Sequence, residues 1–210
     1  MNHLTLLGDS IFDNAAYVGG GPSVIGQVNG KLPEGWRATL AARDGSVITG
    51  VPAQLASVAQ PTVAALSIGG NDALGVSGVI AQPARSVADA LQRIAAIRNE
   101  FATAYERMLD IVQQRCLRLA LCTIYDPNFP DLVQREVSTT ALCALNDVIL
   151  RLAFARDLPL IDLRLICDAP EHFANPIEPS SAGGDRIAAA IVSCATQHDF
   201  AAGRSAIYVR

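Results

Sequence analysis

The stretch Leu4-Thr5-Leu6-Leu7-Gly8-Asp9-Ser10 joins a short apolar run to a turn that carries a nucleophilic hydroxyl. Four more apolar runs of strand length follow along the chain, at Ala38–Ala42, Thr62–Ile68, Leu117–Ile124 and Leu158–Ile166. Such near-continuous apolar runs are typical of strands that are buried on both faces of a parallel sheet. They predict a sheet of five parallel strands.

Segments with helical periodicity lie between these runs. In the clearest one, Arg85–Cys116, apolar side chains recur at steps of three and four residues. We also expect helices at Val51–Ala59, Glu136–Arg156 and Ser181–Gln197, the last of them with Ser180 as its N-cap. Because a parallel crossover needs a helix of about this length, the alternation predicts an α/β fold, a three-layer α/β/α sandwich.

The composition fits one domain spanning residues 1–210. Apolar residues make up 50% of the 210, which is enough for a large buried core. The net charge of −4, with sixteen basic residues spread along the chain, argues against a binder of duplex nucleic acid. No uninterrupted apolar run reaches the roughly 18 to 20 residues of a membrane span, and the first residues lack the basic region of a signal peptide. We therefore expect a cytoplasmic protein with no membrane partner.

The sequence favours neither metal nor cofactor chemistry. Its five cysteines contain no C-x-x-C pair and are expected to be free thiols, most of them buried. The three histidines, His3, His172 and His198, form no H-E-x-x-H motif. The stretch Gly19-Gly20-Gly21-Pro22 matches no phosphate-binding motif. We expect neither a metal nor an organic cofactor.

Three residues that follow successive strands have a chemical use in common. In open α/β sheets, ligands bind beyond the carboxyl ends of the strands, where Ser10, Gly45 and Asn71 are expected to meet. The Ser10 hydroxyl can act as a nucleophile. The backbone N–H groups of Ser10 and Gly45, with the side-chain amide of Asn71, can form an oxyanion hole. This set of groups predicts hydrolysis of small carboxylic esters.

These residues resemble a known family. Gly8-Asp9-Ser10, the isolated Gly45 and Gly69-Gly70-Asn71-Asp72 are similar to the first three sequence blocks of the SGNH (GDSL-type) hydrolases, and the resemblance covers essentially the whole chain. It implies a flavodoxin-like fold, with Ser10 as nucleophile and an oxyanion hole from Ser10, Gly45 and Asn71. Asp9 and Asp72 are expected to brace the loops that carry their neighbours.

The fourth block of that family is altered in this sequence. Family members carry D-x-x-H-P before the last helix, where histidine is the general base and aspartate orients it. The matching stretch here is Asn175-Pro176-Ile177-Glu178-Pro179, with asparagine in place of the aspartate and glutamate in place of the histidine. Both usual partners of the serine are therefore missing.

Three interpretations follow from this change. In the first, Glu178 is the base, which requires burial to raise the pKa of its carboxyl towards neutrality. In the second, His172, six residues earlier, reaches Ser10, with Glu178 or Asp168 orienting its ring. In the third, the site lacks a competent base, and the protein is a weak esterase or a module that binds an acyl or glycan ligand. A serine esterase is the leading hypothesis.

Two other segments have alternative interpretations. Asp13 and Asn14 follow Ser10 closely and could contact substrate or cap the first helix. Tyr125-Asp126-Pro127 follows the fourth predicted strand and could form a pocket wall or a simple turn.

Overall fold

A sheet of six parallel strands lies at the centre of the computed structural model, which describes residues 2–59 and 61–209. Its strands are β1 (Asn2–Gly8), β2 (Trp36–Leu40), β3 (Val63–Ser67), β4 (Leu119–Cys122), β5 (Leu160–Ile161) and β8 (Ile207–Tyr208). They lie side by side in the order β2-β1-β3-β4-β5-β8. A separate antiparallel hairpin consists of β6 (Phe173–Asn175) and β7 (Glu178–Pro179).

Helices cover both faces of this sheet. They are α1 (Val24–Lys31), α2 (Val51–Ala56), α3 (Gly70–Val76), α4 (Val87–Gln113), α5 (Leu132–Ala155), α6 (Leu163–Ile166) and α7 (Ser181–Gln197). Successive side chains of each strand point to opposite faces, so β1 contributes Leu7 to one apolar core and Leu6 to the other. The first core packs against α2, α4 and α5, and the second against α1 and α7. The three-layer α/β/α sandwich is therefore confirmed.

The structure corrects the predicted sheet in two places. A sixth strand, the two-residue β8, pairs with β5 at the edge of the sheet. The run Leu158–Ile166 is not one strand, because Asp162 ends β5 and caps α6 by accepting a hydrogen bond from the N–H of Arg164. Apolar residues of a short buried helix have the same appearance in sequence as those of a buried strand.

The two longest helices extend well beyond the sheet. The 27 residues of α4 span about 40 Å, whereas the five residues of β3 span only about 17 Å. The first buried side chain of α4 is Phe101, and that of α5 is Leu145. Both helices begin near the edge where the strands end, since each belongs to a crossover between parallel strands. Their amino-terminal halves, residues 87–100 and 132–144, therefore project past that edge.

By length and composition alone, α5 could cross a membrane. Core helices of globular proteins satisfy the same criterion. In this fold α5 packs beside α4 and contributes Leu145, Val148 and Ile149 to the core.

Candidate active site

Ser10 lies directly beyond the end of β1, in a turn whose position is fixed by Gly8. The φ of Gly8 is +131°, and a Cβ at that residue would lie only 1.8 Å from the carbonyl oxygen of Ser67. The side chain of Gln54 holds the same glycine, accepting from its N–H and donating to its carbonyl oxygen at 2.8 Å each. The backbone N–H of Ser10 has no hydrogen-bond partner among the described residues. Sequence reasoning did not find Gln54, because an isolated glutamine in a helix carries no motif.

Asp9 and Asp72 hold the backbone of the loops around this turn. Asp9 Oδ1 accepts a hydrogen bond from the N–H of Ile11 at 3.2 Å, and Asp72 Oδ2 accepts one from the N–H of Ile48 at 3.1 Å. Burial is the main cause that raises the pKa of Asp9 to about 8; the hydrogen bond from Ile11 opposes this rise, and the carboxyl groups of Glu178 and Asp72 contribute to it. Burial also raises the pKa of Asp72. These contacts agree with the expected bracing role of both aspartates.

Glu178 stands at the start of β7, with its carboxyl group buried beside Ser10. Burial raises the pKa of Glu178 to about 7. The nearby Ser10 hydroxyl acts in the opposite direction and lowers the pKa, because a hydroxyl beside a carboxylate favours its charged form, while the Asp44 charge raises the pKa. Oε2 of Glu178 is buried with no hydrogen-bond partner among the described residues. This oxygen can therefore accept a proton or a hydrogen bond from a bound molecule.

Two side chains clamp the hairpin on either side of Glu178. The Tyr125 hydroxyl donates a 2.6 Å hydrogen bond to the carbonyl oxygen of Ile177, and Asn14 Nδ2 donates one of 3.3 Å to the carbonyl oxygen of Pro179. Asn14 Oδ1 also accepts from the N–H of Val24, the first residue of α1. Tyr125 lines the cavity as one of its walls. The backbone of Glu178 is thus held by two residues that are distant in sequence.

Asn71 and Gly45 occupy neighbouring loops. Asn71 lies in the first turn of α3, and its Nδ2 donates a 3.0 Å hydrogen bond to the carbonyl oxygen of Ser46. A side-chain amide has two N–H bonds, so one remains for a ligand. Gly45 sits in an exposed turn with φ of +73°, and its N–H has no partner among the described residues. The N–H of Gly50, by contrast, is already bonded to the carbonyl oxygen of Val47.

A cavity of about 530 Å³ connects several of these groups. Ser10, Asn71 and Glu178 line it, whereas Gly45 and His172 do not. Most of the remaining lining residues are apolar, and helices α3, α4 and α5 contribute several of them. The Ser10 hydroxyl, the Glu178 carboxyl group and the Asn71 side-chain amide thus all line one largely apolar cavity.

None of the three histidines lines this cavity. His172 is buried in its own loop, where Nδ1 accepts from the N–H of Ala169 at 3.2 Å and lies 3.4 Å from Oδ1 of Asp168. His3 bonds Thr39 at the opposite end of the sheet, and His198 follows α7 beside Tyr208. The loop does not fold back to bring His172 to Ser10, as the second interpretation required.

Asn175 takes no part in orienting a base. Its Oδ1 accepts a 2.9 Å hydrogen bond from the N–H of Ile177, which closes the turn between β6 and β7. No group of three or more His, Cys, Asp or Glu side chains suited to a metal ion occurs within residues 2–59 and 61–209.

The chain belongs to the GDSL-like lipase/acylhydrolase family, whose model matches residues 6–186. It is accordingly an ester-hydrolysing hydrolase of the GDSL type, as the three sequence blocks predicted. No curated protein sequence matches the chain significantly.

Solved structures of similar fold include several esterases. The extracellular lipase from Streptomyces rimosus is 19% identical, with a TM-score of 0.67 over 93% of this chain and 100% of its own. The lipase/acylhydrolase from Enterococcus faecalis is 21% identical, with a TM-score of 0.62 over 91% and 94%. The acetyl xylan esterase AlAXEase is 18% identical, with a TM-score of 0.63 over 89% and 96%. These likenesses establish the shared fold.

Proposed function

We propose that the protein is a serine esterase in which Glu178, and not a histidine, is the general base for Ser10. The observation that carries this proposal is the buried carboxyl group of Glu178 beside the Ser10 hydroxyl in one cavity. A base works best when its pKa lies near the operating pH, and a pKa of about 7 meets that condition for a carboxyl group.

In the first half of the reaction, the Glu178 carboxylate takes the proton of the Ser10 hydroxyl while Oγ attacks the ester carbonyl carbon. The carbonyl oxygen becomes an oxyanion that accepts hydrogen bonds from the N–H groups of Ser10 and Gly45 and from Asn71 Nδ2. The intermediate then expels the alcohol, which takes the proton back from Glu178. An acyl group remains on Ser10.

The second half repeats the chemistry with water. Glu178 takes a proton from a water molecule as its oxygen attacks the acyl carbon. Collapse of this intermediate returns the proton to Ser10 Oγ and releases a carboxylic acid. The Glu178 carboxyl group therefore acts first as a base and then as an acid in each half of the reaction. The ester and water are the only reactants consumed.

Several features support the proposed oxyanion hole. The N–H groups of Ser10 and Gly45 are without partners among the described residues, whereas the N–H of Gly50 is bonded to Val47. Ser10 and Asn71 line the cavity, and Gly45, in a turn outside its lining, is the third proposed donor. The hydrogen bond from Asn71 to Ser46 ties the residue after Gly45 to the Asn71 side chain. Each donor of this kind contributes on the order of 3 kcal/mol to the transition state.

Hydrolysis of 4-nitrophenyl butyrate by purified variants tests the proposal. We expect Ser10→Ala and Glu178→Gln each to lower kcat by at least about a thousandfold. Glu171→Gln, an exposed glutamate in the same segment, and His172→Gln are expected to keep kcat within about threefold. Full activity in Ser10→Ala would overturn the esterase, and loss of activity in His172→Gln with retention in Glu178→Gln would assign the base to the histidine.

A further inference from the structure

We infer that the ester processed at Ser10 carries an apolar chain, and that this chain lies between α3, the 3-10 turn Ser77–Ala81 and the projecting halves of α4 and α5. The inference rests on the proposed function, because it names the substrate class of that same site. It narrows the small carboxylic esters expected from the sequence to esters with an acyl or alkyl chain of several carbons.

The chemistry of the cavity wall is the first observation. Away from Ser10, the wall includes Leu74, Val79 and Ile80 from α3 and the 3-10 turn after it, and Ile94, Ile97 and Leu142 from α4 and α5. Among the described lining residues, the ones with an ionisable carboxyl group are Asp9 and Glu178, Asp9 adjacent to Ser10 in sequence and Glu178 beside it. The polar side chains in this part of the wall are Ser77, Gln134 and Ser138, which are too few to replace the hydrogen bonds to water that the hydroxyls of a sugar would lose here. A hydrocarbon chain gains from the same surface.

The size of the cavity is the second observation. A volume of about 530 Å³ lies within the range of 300 to 1,000 Å³ that holds whole small-molecule ligands. An acetyl group has only two carbons and would leave most of this space without contacts. Ester substrates that fill the cavity must therefore carry a larger acyl or alcohol group, and the apolar wall favours a hydrocarbon chain.

The continuation of the apolar surface outside the cavity is the third observation. Leu74 and Ile80 line the cavity and remain 42% and 43% exposed, so they form part of its rim. On α4, Val87 and Leu91 precede the lining residue Ile94 by seven and three positions, which places all three on one face of the helix. Val87 and Leu91 are strongly exposed. A bound apolar chain would therefore contact apolar side chains along the cavity, from its rim to Ser10.

The test measures kcat/KM for two series of soluble esters by titration of the released acid. Methyl esters of acids with two to ten carbons vary the acyl chain, and acetates of alcohols with one to eight carbons vary the alkyl chain. We expect kcat/KM to rise about fourfold per added methylene in one series until the cavity is filled. The series that rises shows which half of the ester the cavity takes. Highest activity on methyl acetate, with no rise in either series, would overturn the inference.

A pair of variants on α5 ties the preference to the cavity. Ser138 lines the cavity, whereas Thr140 on the same helix is exposed and outside it. We expect Ser138→Phe to lower the ratio of kcat/KM for the best long-chain ester to that for methyl acetate at least tenfold. Thr140→Phe is expected to leave that ratio unchanged, and an equal effect of both variants would contradict the assignment.

Calorimetric titration of the Ser10→Ala variant separates this inference from the proposed function. We expect methyl octanoate to bind at least tenfold more tightly than methyl acetate. If the parent protein hydrolyses no ester, the proposed function is wrong, and the same titration still decides whether the cavity takes an apolar chain. If the parent hydrolyses esters but the two ligands bind Ser10→Ala equally, the function stands and the chain inference falls.

Discussion

Glu178 and Ser10 line the same cavity, and each residue is only 6% exposed. Water that would otherwise stabilise the charged carboxylate is largely excluded at this position. Burial makes the charged form of Glu178 energetically costly, and for the same reason it raises the pKa of this residue to about 7. An unperturbed histidine has a pKa close to this value. A change of residue type thus leaves the proton affinity of the proposed base nearly where a histidine would put it.

Activity is expected to rise with pH through about 7. Glu178 accepts a proton only when it is ionised, so kcat/KM should fall about tenfold per pH unit well below that pKa. Initial rates between pH 5 and 8, corrected for spontaneous hydrolysis, measure this profile. Asp44→Asn should move its midpoint to lower pH, because the Asp44 charge raises the pKa of Glu178. A rate that does not change between pH 5 and 8 would show that no group of this pKa is the base.

A histidine at position 178 should work better when an aspartate can orient it. We expect Glu178→His to raise the rate near neutral pH, and the double variant with Asn175→Asp to raise it several-fold more. The two positions are paired across the β6–β7 hairpin, which puts the new side chains within reach of each other. The matched control is Asn175→Asp alone, which supplies no ring to orient. An unchanged or lower rate in Glu178→His would count against a base at this position.

The stability of the fold should decrease as the pH rises from about 4 to 8. The pKa of Asp9 is raised to about 8, so the folded protein holds a proton that the unfolded chain has already released. Asp9→Asn removes this proton uptake while keeping an oxygen for the Ile11 N–H. We expect Tm to fall less between pH 5 and 8 in Asp9→Asn than in the parent. The exposed Glu136→Gln serves as control, and equal pH slopes in parent and Asp9→Asn would refute the role of Asp9.

Loss of the Tyr125 hydroxyl should impair catalysis through the position of Glu178. Tyr125→Phe leaves the carbonyl oxygen of Ile177 without its donor, at a cost of about 1 to 3 kcal/mol in unfolding free energy. We expect kcat to drop roughly tenfold with KM nearly constant, measured together with Tm by thermal unfolding. Tyr208→Phe loses a hydroxyl contact at the far edge of the sheet and should keep kcat. A change in KM alone, with kcat unchanged, would show that Tyr125 only contacts the substrate as part of the cavity wall and does not position Glu178.

Local sequence patterns were sufficient to predict the elements of the fold that have a regular hydrophobic periodicity. The bounds of α7 and the Ser180 cap were predicted correctly, because a hydroxyl before a regular amphipathic segment is a local signal. The arrival of Ser10 and Asn71 at one cavity followed from the parallel sheet, since residues after neighbouring strands meet at one edge.

Contacts between residues that are far apart in the sequence could not be predicted from local sequence patterns. The bonds of Gln54 to Gly8 and of Asn14 to Pro179 join residues 46 and 165 positions apart, and neither side chain belongs to a motif. The two-residue β8 is too short for any periodicity to appear. The position of His172 depends on where its loop packs against α7, which the spacing to Glu178 left open.

The two clamps on the β6–β7 hairpin have an evolutionary consequence. Tyr125 and Asn14 hold main-chain oxygens of Ile177 and Pro179, so they are indifferent to the side chain that stands between those residues. Residue 178 can therefore be exchanged without loss of the scaffold that presents it. In this chain the residue that carries the proposed proton acceptor can be exchanged, whereas Gly8, whose Cβ would collide with a backbone oxygen, cannot.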